Sequence, residues 1–187
     1  MQLIRRSIQW GIVPFALICL LTPVLALGAD KPVAATSGVR AELIAHMQTL
    51  ENKFVGLAEA IPQAKYDWRP APGVRSVSEV FGHVAGSNYM FAKMLGATPP
   101  VAVKGENLEK AITTQKEAVD ALKQSFALTM DTIRKMSDAD LEKSVKLFGQ
   151  EMSARAVLIG DMGHQSEHLG QMIAYARMNG VVPPWSK

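Results

Sequence analysis

The sequence predicts an all-α chain organised as a four-helix bundle, and three observations predict it. Four long segments carry apolar side chains at three- and four-residue intervals, the period of one face of an α-helix. Strict apolar–polar alternation, the mark of a half-buried strand, is almost absent. Helix-starting and helix-stopping residues punctuate the periodic segments.

A signal peptide is predicted ahead of the bundle, at residues 1–28. Arg5 and Arg6 make a basic start, Gly11 to Leu27 is mostly apolar, and Ala26-Leu27-Gly28 offers small residues where a signal peptidase reads. The apolar run is short for a spanning helix, and Pro14 and Pro23 interrupt it. The expectation is export to the periplasm or medium, with no stable membrane association after cleavage. Cleavage removes Arg5 and Arg6, so Lys+Arg falls from 20 to 18 against 17 Asp+Glu, a net charge of about +1. No clustered basic face points to nucleic acid. Cys19, the only cysteine, leaves with the signal, and with it any disulfide or thiol nucleophile. A flexible lead at 29–37 and one domain at 38–187 remain, enough chain for a single core.

Helix one is predicted from about Val39 to Ala60, with Leu43, Met47, Leu50, Phe54, Leu57 and Ile61 as its apolar stripe. His46, at the stripe's edge, reads as an exposed or hydrogen-bonded histidine rather than a ligand. Pro62 ends the helix, and Gln63 to Val74 is a loop anchored by Tyr66 and Trp68 that caps one end of the core. Ser76-Val77-Ser78-Glu79 forms a capping box that starts helix two, which runs to about Leu95. His83 lies within it between Gly82 and Gly86, small residues that let a helix or a ligand approach the backbone. A carbonyl-bonded core histidine and a ligand are both open readings of His83. Helix three is predicted from about Leu108 to Met136, with Ile112, Val119, Leu122, Phe126, Met130 and Ile133 inward and solvated charges elsewhere. Lys143 to Met152 reads as extended, a small strand or lid. Ser153 caps the last helix, Ala154 to Asn179, and Gly180 ends it, with Pro183-Pro184-Trp185 folding back as a tail.

The chemistry concentrates in Asp161-Met162-Gly163-His164-Gln165-Ser166-Glu167-His168-Leu169-Gly170-Gln171. On a helix, His164 and His168 stand one turn apart on one face, where two neutral imidazoles can hold one metal ion. Asp161 and Gln171 share that face, three residues before and three after, so it is polar where a packed helix would be apolar. Asp161 is a candidate to orient His164 by accepting its free ring N–H. The pattern His164-x-x-Glu167-His168 also fits the inverted zinc peptidases, in which the glutamate is the general base. Those enzymes take a further glutamate ligand well downstream, whereas no Asp or Glu follows His168, so that reading is rejected. In a four-helix bundle, metal ligands come from facing helices, which makes a third ligand from helix two geometrically reasonable.

The chain resembles the DinB-like superfamily, also described as DinB/YfiT-like metalloenzymes, over about Gly38 to Ser186. The resemblance rests on Tyr66-x-Trp68-Arg69-Pro70-x-x-Gly73-x-Arg75-Ser76, on Gly82-His83, and on His164-x-x-x-His168-x-Gly170-Gln171 followed by Arg177 and Gly180. It implies a four-helix bundle whose metal is held by one histidine of helix two and two of the last helix, here His83, His164 and His168. Glu167 stands where many members have another histidine, and it is not expected to ligate. The resemblance also implies a divalent metal cofactor, with zinc, nickel and iron suited to three imidazoles. Relatives include bacillithiol S-transferases and a mycothiol-dependent maleylpyruvate isomerase. The leading expectation is therefore metal-dependent hydrolase or thiol-transferase-like chemistry on a small-molecule substrate, with Asp161 and Gln171 behind the ligands and homodimerisation open. The alternatives are a non-catalytic bundle that binds metal or a ligand, and a bundle whose histidines are structural.

Overall fold

The computed structural model describes residues 38–100 and 105–186. The predicted signal peptide, the lead at 29–37 and part of the connector before helix three lie outside the described residues. None of the described helices is long and apolar enough to cross a membrane.

Helix α1, Gly38–Ala60, buries Leu43, Met47, Leu50, Phe54 and Leu57, the predicted stripe, and leaves His46 exposed. The following loop is fastened at both ends. The Tyr66 hydroxyl, fully buried, donates to the Ala58 carbonyl at 2.7 Å. The amides of Val77 and Ser78 donate to the carbonyls of Trp68 and Tyr66 at 3.0 and 2.9 Å. Helix α2, Val77–Met94, starts at the predicted capping box: Glu79 N donates to Ser76 Oγ at 3.3 Å and Ser76 N donates to Glu79 Oε2 at 2.8 Å.

The third predicted helix is two. Helix α3, Gly105–Ala111, stops before a break, and α4, Gln115–Lys135, starts anew. A second capping box makes the break: Thr114 Oγ1 accepts from Glu117 N at 3.2 Å and Glu117 Oε2 accepts from Thr114 N at 2.9 Å. Gln115 then clamps α4 to the end of α1, its Nε2 donating to the carbonyls of Ala58, Glu59 and Ile61 at 3.1, 3.1 and 3.0 Å. Those carbonyls lie at the end of a helix, where no intrahelical donor reaches them.

After a short α5, Asp138–Leu141, the extended segment is a hairpin of β1, Ser144–Leu147, and β2, Gln150–Ser153. It turns on Phe148 (φ 49°) and Gly149 (φ 86°), two positive φ values in a two-residue loop, the primed geometry that suits strand twist. Helix α6, Ala154–Met178, is capped by Ser153 and ends before Gly180, whose φ of 75° only glycine adopts cheaply. The tail does return, with the Trp185 ring centroid 5.7 Å from Nζ of Lys53 on α1.

The long helices α1, α2, α4 and α6 close a ring in which α1 and α2 each pack against both α4 and α6. The core runs down the middle, with Phe54 against Phe126 at 6.0 Å and Tyr66 against Phe81 at 5.9 Å between ring centroids. Phe91, Leu147 and Val157 form a satellite cluster where the hairpin lies on α2 and α6. Helix α3 lies against α2 over Gly82. A Cβ at Gly82 would stand 2.6 Å from the Leu108 carbonyl oxygen and 2.8 Å from Glu109 Cα, both backbone atoms that cannot swing aside.

That contact sets a testable balance. Replacing an interior helical glycine by alanine gains about 1 kcal/mol of propensity, while forcing a methyl into a packed backbone contact costs about 1–3 kcal/mol. G82A should therefore lower the denaturation midpoint, because the backbone clash outweighs the propensity. A G82A variant as stable as the parent or more so would refute the close packing of α3 on α2.

Candidate metal centre

Helices α2 and α6 bring His83, His164 and His168 together, and one ring nitrogen from each lies within 4.8 Å of the others. The ring centroids are 5.1 Å apart for His83 and His164, 4.6 Å for His83 and His168, and 4.5 Å for His164 and His168. Nε2 of His83 and Nε2 of His164 are 3.0 Å apart. Two nitrogens bound to one ion at about 2.1 Å stand about 3.0–3.4 Å apart at ordinary coordination angles, so the spacing, which is also that of a hydrogen bond between the two rings, is compatible with shared ligation.

The tautomers follow from the groups behind the rings. The Arg75 carbonyl can only accept, so the Tyr175 hydroxyl donates to it, at 3.2 Å. The Tyr175 oxygen then accepts from Gln171 Nε2 at 3.0 Å, which turns Gln171 Oε1 toward His168 Nδ1 at 2.8 Å. His168 therefore carries its proton on Nδ1 and keeps the Nε2 lone pair for an ion. His83 Nδ1 stands 3.4 Å from Glu109 Oε2, and a carboxylate there also holds the proton on Nδ1. Burial, then the nearby positive charge, lowers the His83 pKa, and burial first of all lowers that of His164 to about 4. Both shifts favour the neutral imidazole, the form that binds a metal.

Gln171 lies behind the His168 ring, whereas Asp161 makes no hydrogen bond to His164. Asp161 is fully buried, but its Oδ1 accepts from Gln165 Nε2 at 2.9 Å, and neither Asp161 Oδ2 nor His164 Nδ1 has a hydrogen-bond partner among the described residues. The competitor is local: Gln165, one turn on, reaches the carboxylate first. Gln165 Nε2 also donates to Asn88 Oδ1 at 2.6 Å, and Asn88 Nδ2 donates to Ser125 Oγ at 3.1 Å, which ties α6, α2 and α4 through a buried polar strip. Gln165, Asn88 and Glu109 were not singled out in the sequence. Glu167 is exposed on another face and stands off the site, as expected.

Phe91 flanks His164 at 6.2 Å, and Trp68 meets Tyr175, behind Gln171, edge-on at 5.3 Å between ring centroids. A separate open pocket of about 750 Å³, between Met94, Leu128, Met136 and Val145, contains none of the histidines, and its charges pair off as Lys135–Asp131 and Lys143–Asp140.

The geometry defines a class, a helical bundle with a converging three-histidine cluster that can hold a metal ion. Residues 37–172 match the DinB superfamily model, and the chain belongs to that superfamily. It is 25% identical over 144 residues to the uncharacterised protein YjoA of Bacillus subtilis, covering 74% of this chain and 90% of that one. A DinB-like protein from Bacillus cereus superposes with a TM-score of 0.69 at 18% identity, over 77% of this chain and 95% of its own. The YjoA structure superposes with a TM-score of 0.63 at 22% identity, over 78% and 97%. At these identities the likeness establishes the fold.

Asp161 generates a prediction. Burial raises its pKa from 3.8 to about 7, so the folded state holds a proton that the unfolded chain has already released. Its penalty on stability is absent below about pH 4, grows as pH rises, and is complete above about pH 7, at most about 4 kcal/mol. His164 acts in the opposite sense across an overlapping window, so the difference between D161N and the parent isolates Asp161. The stability of D161N relative to the parent should rise from pH 4 to pH 7 in metal-free urea titrations. A difference that stays flat with pH would show that Asp161 is not held protonated by burial.

Proposed function

We propose that this chain is an exported, divalent-metal-binding member of the DinB superfamily whose three-histidine site carries metal-dependent chemistry, hydrolytic or thiol-transferring. The observation that carries the reading is the convergence of His83, His164 and His168, with two of the tautomers set from behind by Glu109 and Gln171. Three protein nitrogens leave positions for water or substrate, the pattern of catalytic rather than structural sites. A bound divalent ion would supply Lewis acidity there, lowering the pKa of a bound water or holding a thiolate. His83, His164 and His168 would donate their lone pairs, Glu109 and Gln171 would fix ring orientation, and Phe91 would pack beside His164. Zinc, nickel and iron all suit this donor set. A non-catalytic metal-binding role is the second reading, favoured by Glu109: its Oε2 is shared between His83 and Arg75 Nε, at 3.4 and 3.1 Å, and is not free to act as a base.

Calorimetric titration of metal-stripped protein, purified without an affinity tag, tests the site. H83A, H164A and H168A should each weaken binding more than about a hundredfold, since losing a partner behind a ligand already costs about 10–100-fold. Q171A should fall in that 10–100-fold range, and H46A should bind as the parent does. Full affinity in H83A would remove α2 from the site and leave only the helical pair. Export has its own measurement: protein from the native envelope should have an intact mass that begins near residue 29, and a species retaining residues 1–27 would contradict cleavage.

A further inference from the structure

Arg75 is where the two supporting chains behind the site meet. Its carbonyl terminates the path His168–Gln171–Tyr175, and its side chain terminates the path His83–Glu109. The backbone is pinned by the capping box that begins at Ser76 and by the Trp68–Val77 bond. The guanidinium is not consumed by these duties. Arg75 Nε lies 3.1 Å from Glu109 Oε2, yet its N–H does not point at that oxygen, and this buried donor has no hydrogen-bond partner among the described residues. The terminal nitrogens make no hydrogen bond to a described residue, and the side chain is 39% exposed. Through Glu109 Oε2, 3.1 Å from Arg75 Nε and 3.4 Å from His83 Nδ1, its charge stands beside the cluster.

We propose that Arg75 is the anion anchor of this site, so that its substrate carries a carboxylate or phosphate beside the group that reaches the three histidines. A planar guanidinium with unspent donors matches an oxyanion edge-on, and the terminal nitrogens, which Glu109 does not engage, are the donors that edge would use. Three neutral imidazoles add no negative charge to a divalent ion, and Glu109 offsets only Arg75. The site as a whole is therefore cationic when loaded, and it would draw an anion in and orient it. The carbonyl of Arg75 meanwhile stays in place whatever its side chain binds, so anion binding need not disturb His168.

This inference rests on the metal-binding reading, and the experiment separates the two. Cobalt(II) is titrated first into the metal-stripped parent, R75Q and R75K, and the loaded proteins are then titrated with acetate or inorganic phosphate, read in the visible cobalt bands. Acetamide serves as the uncharged control. One cobalt should bind per chain in all three, and the half-saturating anion concentration should rise about ten- to hundredfold in R75Q, the worth of a lost charge-assisted hydrogen bond. R75K should fall between, because it keeps the charge and loses the fork, and acetamide should not distinguish the three. Equal anion affinity in R75Q and the parent, with cobalt bound in both, would overturn the proposal. Loss of cobalt from both R75Q and R75K would also overturn it, assigning Arg75 to holding the site together. A parent that takes up no cobalt would sink the metal reading, and the anchor with it.

Discussion

Three lone pairs can share one ion only if each ring is turned to present the same nitrogen, and that requirement reaches well beyond the histidines. His168 is turned by Gln171, Gln171 by Tyr175, and Tyr175 by a carbonyl that belongs to the loop before α2. His83 is turned by Glu109, which arrives on α3 only because Gly82 has no side chain to hold that helix away. The loop in turn is fixed by Tyr66, bonded to α1, and by the two amides that tie its aromatic residues to the start of α2. The motif from Tyr66 to Ser76 is thus part of the site, although only the carbonyl and side chain of Arg75 approach it. Its aromatic residues hold a backbone oxygen in place.

The same arrangement explains how the bundle tolerates polarity in its interior. Asp161, Gln165, Asn88 and Ser125 are buried where a helical bundle would ordinarily place leucine. Most of their atoms are paired, but Asp161 Oδ2 and Gln165 Oε1 are not, and each such atom costs about 1–3 kcal/mol. The apolar core that offsets them lies along the rest of the bundle axis, where Met47, Phe54, Phe81, Phe126, Ile133 and Leu158 are fully buried. Burial also explains why Asp161 is best read as a neutral acid. An ionised carboxylate there would face one amide and no cation, so the proton remains until about pH 7.

The legible parts of this structure are those set by neighbours in sequence. The stripe of α1, the caps at Ser76 and Ser153, the glycine after α6 and the pairing of His164 with His168 all depend on spacings of a turn or less. The break before α4 was equally local, a Thr-x-x-Glu box like the one at Ser76, but Ile112 keeps the apolar rhythm running across it and hides it. Asp161 was misplaced for a related reason. It does share a face with His164, yet Gln165 lies one turn away and a carboxamide competes better for that carboxylate than a ring nitrogen aimed elsewhere. What spacing could not reach is long-range. His83 needed the resemblance, because only the packing of α2 on α6 makes it a neighbour of His164. Glu109 had no signal, since its role depends on a glycine in another helix.

All three imidazoles come from two helices, and what stands around the remaining side bears on what the site is for. A closed structural site would take a fourth protein donor, and among the described residues the clustered ligating group stops at three. The carboxylate of Glu109 stands at Nδ1 of His83, behind that ring, and beside Arg75. Glu167, next to His168 in sequence, is carried to the outside by the helical twist. The groups that could have closed the shell are thus turned away from it, and the charged group left with unspent donors is a guanidinium. A donor set that remains open beside a cation is what the anionic ligand and the metal-dependent chemistry proposed above both rest on, more than on the number of histidines.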